Sequence, residues 1–454
     1  MSAGCCARRA NGRPSWSPRP SARVRRPVCA TPIRITPTCA SPIRATPVRS
    51  TPRWRHGAPR PPPELRDGQQ PDVVLARSPG CCVARFARQA GGSAPQSPAN
   101  DRPDRRCRAE SEAPVTIDRS PVLVDLALQG GGAHGAFTWG VLDRLLEEPW
   151  LEIDGVSGTS AGAMNAAVLV DGFADGGRDG ARAALESFWR SVSDGARFSP
   201  FQRTPLDLLL GRWTLDNSPL YVIMDLMARM VSPYDLVAGA NPLAAILEKH
   251  IDFERLSQAS IKLFVTATRV RTGQGRVFRN AEITPDVLLA SACLPTMFQS
   301  VEIDGEAYWD GGYSGNPTIT PLVRECRSRD TIIVQINPIE RIGTPRSARD
   351  ILNRLNEVSF NGVLLKELRM IALLRQVADA GNCEGAQWAR MRIHRIASAA
   401  MAELSASSKL LAEWGFFCKL RDLGRAAAET FLVENAAALG ERSTYDLDAL
   451  LAGP

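Results

Sequence analysis

No stretch of this 454-residue chain approaches the roughly 20 consecutive apolar residues that would span a bilayer. The arginine-rich start also lacks the apolar core of a secretory signal. The sequence therefore reads as a soluble cytoplasmic protein, peripheral to a membrane at most. Cysteine usage excludes more. Seven of the eleven Cys (Cys5, Cys6, Cys29, Cys39, Cys81, Cys82 and Cys107) lie in the first 120 residues, and Cys293, Cys326, Cys383 and Cys418 are scattered without C-x-x-C spacing. Neither a zinc site nor a disulfide framework is indicated. Histidine is scarce: the chain holds His56, His134, His250 and His394, and none follows a late strand, where a triad histidine belongs.

Lysine is absent from residues 1–120, which carry 22 Arg against 8 acids and 19 of the 33 Pro. The remaining 334 residues carry 33 basic and 40 acidic side chains, so the net +7 of the whole describes neither part. With no apolar periodicity, and a near-repeat of Thr31–Pro37 at Ser41–Pro47, residues 1–120 are expected to be a disordered low-complexity segment. Such an arm could touch polyanions by charge. It has no aromatic interleaving and no nucleic-acid motif, so no specific nucleic-acid partner is expected. No Met occurs between Met1 and Met164, and Val115 sits just ahead of the first strand. A GTG start there would give a compact product, which N-terminal sequencing of the native protein tests.

From Pro121 the text changes. Val122–Leu128 is a nearly continuous apolar run, as in a strand inside a parallel sheet. It enters Gly130-Gly131-Gly132-Ala133-His134-Gly135, after which Phe137, Val141, Leu142, Leu145 and Leu146 recur at helical spacing. The unit repeats with a strand at 151–156, a turn at 158–162 and a small-residue helix over 161–170. Alternation of this kind implies a doubly wound α/β sheet. Further strands are predicted at 261–269, 276–279, 301–303, 331–336 and 391–396, and helices at 181–193, 285–292, 347–378 and 408–436. Residues 199–250 form an insertion of different texture. Met224, Met227 and Met230 at three-residue spacing read first as core filling. The insertion's place in the chain also suits a mobile lid or lipid-facing cap.

Gly158-x-Ser160-x-Gly162 is weak as a pattern, but here the serine follows an apolar strand and opens a helix, as a nucleophile elbow does. The small neighbours give room for the sharp turn, and the helix dipole favours developing negative charge. The triple glycine is at a like turn, where backbone N–H groups can converge on an oxyanion. Gly130-x-Gly132-x-x-Gly135 also satisfies a dinucleotide fingerprint with Asp154 further on, a reading that ranks below the oxyanion one because the next strand ends in an elbow. The histidines read as structural, with His134 orienting the loop. Asp310-Gly311-Gly312 offers another base: a partly desolvated carboxylate against Ser160 would have a raised pKa and could take the proton directly.

Four blocks in this order and spacing, Gly130-Gly131-Gly132-x-x-Gly135, Gly158-Thr159-Ser160-Ala161-Gly162, Ala290-Ser291-Ala292 with Pro295, and Asp310-Gly311-Gly312, resemble the patatin-like phospholipase family over roughly 122–325. The resemblance implies a three-layer α/β/α fold with a Ser–Asp dyad and lipid acyl hydrolase activity. Carried over by motif, Ser160 is the nucleophile, Asp310 the base, and the Gly131 and Gly132 amides the oxyanion donors. No metal or organic cofactor is implied, and the expected partners are a lipid or ester substrate and a membrane or micelle surface, visited transiently through 199–234. The expected division is an acyl hydrolase domain over 121–325, with 326–454 as last strands and a helical extension packed on it. One departure is His134, where the family often has Lys or Arg: a neutral imidazole contributes less to anion binding. The alternative function is a catalytically silent lipid-binding or regulatory protein on the same fold.

Overall fold

The computed structural model describes residues 119–235, 241–377 and 384–452. The expectations for 1–118, His56 and Cys383 lie outside these residues. Among the described residues, eight strands form one sheet: β1 (Val122–Leu128), β2 (Leu151–Gly158), β3 (Lys262–Arg269), β4 (Gly275–Arg279), β5 (Val301–Ile303), β6 (Glu306–Asp310), β7 (Asp330–Val334) and β8 (Arg392–Ile396). Their order is β5-β6-β3-β2-β1-β7-β8, with β4 also paired to β3. The β8-β7-β1-β2-β3 run is parallel, while β4 and β6 join β3 antiparallel.

Alternation along the strands separates two apolar cores. Leu126 and Leu128 of β1, Leu263 and Val265 of β3, and Ile332 and Val334 of β7 face one core. Their neighbours Ala127, Phe264 and Ile333 face the other. Because successive side chains of a strand point to opposite faces, both faces need cover. Helices α1 (Gly135–Leu145), α2 (Ala161–Gly195), α3 (Pro205–Leu209), α4 (Pro219–Met230), α5 (Pro242–His250), α6 (Phe253–Ser257), α7 (Pro285–Ser291), α8 (Thr320–Glu325), α9 (Ala348–Val377), α10 (Glu384–Ala389), α11 (Trp414–Asn435) and α12 (Ala449–Ala452) follow in chain order. Phe137 of α1, Leu169 of α2 and Phe416 of α11 fill the first core. Leu322 of α8, Leu364 and Leu368 of α9 and Trp388 of α10 fill the second. The result is a mixed sheet between two helical layers, the α/β/α architecture expected from the sequence.

One pair of expected helices and three differences from expectation stand out. The helices expected at 161–170 and 181–193 are the two halves of α2, which meet at a kink where Gly176 and Gly177 leave helical geometry. Strand β6 was not anticipated, although Asp304 and Gly305 both take positive φ and turn β5 back into it; such a pair is a strong hairpin signal. Helix α11 starts at Trp414 rather than 408, because Ala406–Leu410 forms a separate 310 turn. The core-filling reading of the insertion's methionines is also overturned: Met224, Met227 and Met230 are 39 %, 47 % and 76 % exposed. They share α4 with exposed Leu220, Val222, Ile223 and Leu226, next to exposed Leu206, Leu208 and Leu209 on α3. No described helix is long and apolar enough to cross a membrane.

Candidate active site

The carboxyl ends of β1 and β2 meet where two glycine-rich turns leave the sheet. Between β2 and α2, Ser160 adopts φ 55° and ψ −124°. A non-glycine residue held there stores on the order of 1–3 kcal/mol of strain and persists only where its surroundings impose it. Gly162 is required by close approach, since a β-carbon would overlap the Leu128 carbonyl oxygen. Gly158 packs backbone to backbone against the same residue. The turn is tied down by Thr159, whose hydroxyl donates to Gly315 O at 2.7 Å, and by Ser291. The Ser160 N–H donates to Ser291 Oγ at 2.9 Å, and that hydroxyl donates to Thr266 O at 2.7 Å.

Asp310 arrives on the last residue of β6, in register with Ala267 of β3. Its N–H donates to Cys293 O at 2.7 Å, and its carbonyl accepts from Thr268 Oγ1 at 2.8 Å. The carboxylate is 2 % exposed. Burial pushes its pKa up to about 6, against hydrogen bonds from the Gly312 N–H and the Ser160 hydroxyl and against the Lys409 charge. The Gly312 bond measures 2.7 Å to Oδ1. Gly311, beside it, lies against the Thr266 carbonyl, bringing the turn onto β3. A raised carboxylate touching a serine hydroxyl is half-ionised just below neutral pH, which suits a base.

The glycine loop is held by buried amides. Gly130 N–H donates to Asn316 Oδ1 at 2.7 Å, and Gly130 O accepts from Asn337 Nδ2 at 2.8 Å. Gln129 Oε1 accepts from the Ile336 and Asn337 N–H groups. Gly130 also lies against the Ser160 β-carbon. Gly131 O accepts from His134 N, and Gly135 opens α1 against Ala161. Among the described residues no acceptor pairs with the N–H groups of Gly131 and Gly132. Both residues line, with Ser160 and Asp310, a cavity of about 320 Å³, within the roughly 300–1,000 Å³ range of small-molecule sites. Its walls are mostly apolar, from Met164, Phe188, Trp189, Phe298, Phe360 and Phe417.

The competing residues lie elsewhere. His134 is buried, its Nε2 2.7 Å from Ser408 Oγ, and burial holds its pKa well below the usual value, so the ring is neutral. His250 pairs with Ser191 Oγ at 2.7 Å, and His394 sits between Asp330 and Thr444. None partners Ser160. Asp154, the acid a dinucleotide would need, is engaged by the Arg327 backbone and guanidinium and by Lys262. Its carboxylate groups with Asp125 and Cys326, ligand atoms within 4.8 Å of one another. The adjacent cations already balance Asp154, and burial raises the pKa of Asp125, so the group reads as an ion-paired Asp154 beside a protonated Asp125.

With an elbow serine, a buried aspartate and a glycine loop on one cavity, the comparison with known families is decisive. Residues 126–323 match the family described as patatin-like phospholipase. Over this segment the chain is similar to patatin-like phospholipases. No curated protein sequence matches the chain. Among solved structures, VipD from Legionella pneumophila aligns at 17 % identity and a TM-score of 0.27 over 67 % of each chain. ExoU of Pseudomonas aeruginosa, solved with SpcU, aligns at 18 % identity and a TM-score of 0.23 over 57 % of this chain and 58 % of that one.

The patatin-like site depends on residues the sequence did not single out. Ser291 belongs to the third block without a role that spacing reveals, and its hydroxyl accepts from the Ser160 amide. Asn316 lies outside the four blocks, and its side chain holds the loop that Ser160 faces. Asn337 and Lys409 gave no motif signal, because they enter the site from segments beyond the family match.

Proposed function

We propose that the protein is a lipid acyl hydrolase that works through an acyl-enzyme. The observation carrying this is the Ser160 hydroxyl bonded to the buried Asp310 on the apolar cavity lined also by Gly131 and Gly132, whose amides have no acceptor among the described residues. Asp310 accepts the Ser160 proton as Oγ bonds to the ester carbonyl carbon. The carbonyl electrons move onto oxygen, where the two amides donate to the oxyanion. Collapse breaks the bond to the alcohol, which leaves with the proton from Asp310. A water deprotonated by Asp310 then attacks the acyl-enzyme, and the carboxylic acid departs as Ser160 recovers its proton. The scheme uses no metal or organic cofactor.

In this reading residues 121–325 carry the reaction, while 326–454 complete the sheet and part of the cavity wall. The substrate partner is a lipid surface met by α3 and α4, which each carry a group of exposed apolar side chains, Leu206 to Leu209 on one and Leu220 to Met230 on the other. The reading is tested by hydrolysis of short-chain and long-chain esters beside Ser160→Ala and Asp310→Asn, with folding checked by circular dichroism. Loss of turnover in both folded variants supports it. Equal turnover in variant and wild type, or none in any of them with membranes added, reduces the protein to a lipid-binding role.

A further inference from the structure

Lys409 stands in the patatin-like cavity although it lies 86 residues beyond the end of the family match. Its 310 turn, Ala406–Leu410, is fastened to the glycine loop. Ser408 Oγ meets His134 Nε2 at 2.7 Å and donates to Ser405 O at 2.7 Å. Gly132, at φ +58°, lies so close to the Lys409 carbonyl that a β-carbon would overlap it. The ammonium donates to Asn337 Oδ1 at 2.8 Å, and Asn337 in turn donates to Gly130 O. Lys409 is thus fastened to the loop that carries the unpaired amides.

The cation is enclosed yet has no counter-ion beside it. Its hydrogen-bond acceptor is a neutral amide, and it makes no ion pair among the described residues. Glu357 attracts it at longer range, but that carboxylate is already forked by Arg341. Asp310 is also within its field, with its oxygens committed to Gly312 and Ser160. Lys409 is only half-buried, because part of its surface opens on the cavity. An ammonium has three donors, and one is used here. An unneutralised cation on an otherwise apolar wall is costly until an anion arrives. At the glycine loop itself the chain has neutral His134, so Lys409 is the cation available next to the reacting ester.

We propose that Lys409 is the specificity-determining residue of this site, binding the phosphate of a lipid whose acyl ester lies against Ser160. The proposal rests on the hydrolase reading for its turnover assay but not for its binding assay, which separates the two. In the first assay the full chain, Lys409→Gln and Lys409→Arg hydrolyse a monoacylglycerol and the monoacylglycerol phosphate of the same acyl chain. A charge-assisted hydrogen bond is worth roughly 1.5–3 kcal/mol, about tenfold or more in discrimination. The ratio of kcat/KM for phosphorylated over neutral ester is expected to fall about tenfold in Lys409→Gln and to be largely retained in Lys409→Arg. In the second, calorimetry measures dodecyl phosphate and dodecanol binding to Ser160→Ala with and without Lys409→Gln. Preference for the phosphate that vanishes with the lysine supports the proposal even if no ester is turned over. Equal losses on both esters, a pH profile displaced without a change in the ratio, or equal binding of phosphate and alcohol overturns it. Those results place Lys409 with the reacting centre, Asp310 or the fold.

Discussion

The Ser160 N–H donates to the Ser291 hydroxyl at 2.9 Å, and the same hydroxyl donates onward to Thr266 O at 2.7 Å. The elbow of one crossover is therefore pinned to β3 through the end of α7. Ser291→Ala leaves a buried N–H without its acceptor and a carbonyl without its donor. The expected cost is about 1–3 kcal/mol of stability, with a further loss of turnover because Ser160 is held at positive φ by this contact. Urea denaturation and ester hydrolysis measured on one preparation check both. Unchanged stability and turnover would mean that the elbow holds its shape without Ser291.

Activity is expected to rise with pH through about 6 and then level off. The base form of Asp310 is the carboxylate, and burial places its pKa at about 6 rather than 3.8. The kcat/KM profile on a neutral ester reads this directly. Asp310→Asn removes the rising limb and about 10²–10⁴ of the rate, the usual share of a positioned general base. A limb centred near 4 would show that the carboxylate is solvated in the working enzyme.

A second buried acid affects stability instead. Asp125 on β1 is fully buried, and burial drives its pKa up to about 8, opposed by the Cys326 thiol. Between the unfolded value of 3.8 and about 8 the folded protein keeps a proton that the unfolded chain releases. Stability contributed below this window is therefore lost as pH rises across it, by up to about 1.4 kcal/mol per pH unit. Asp125→Asn has no such proton and should flatten that slope. Urea midpoints at pH 5 and pH 7.5, wild type against variant, measure the difference, and parallel slopes would refute the assignment.

The apolar face of α4 gives a surface test. Ile223→Asp together with Met227→Asp places two charges where Ile223 is 57 % and Met227 47 % exposed. Co-sedimentation with phosphatidylcholine vesicles should drop by about tenfold or more, since each lost apolar anchor costs roughly 1.5–3 kcal/mol. Undiminished sedimentation would move the contact away from the insertion.

Much of this protein was legible in one dimension. The apolar run of β1, the helical spacing after it and the glycine turns between them are local patterns, and local patterns follow from the backbone's two periods. Ser160 and Asp310 could be named because each sits in a short motif whose glycines are needed for close backbone approach. The α/β/α layering followed from the alternation of those units. Other features required the folded chain. Methionines at three-residue spacing look alike whether they face a core or solvent, and on α4 no element among the described residues covers them. Strand β6 is short and partly exposed, so its identity rests on pairing with β3. The side chains of Asn316, Asn337 and Ser291 reach their partners Gly130 and Ser160 from 131 to 207 residues away along the chain, and Ser408, next to Lys409, reaches His134 from 274 away. No spacing rule connects them, because their proximity comes from the parallel sheet bringing the ends of β1, β2 and β7 to one edge.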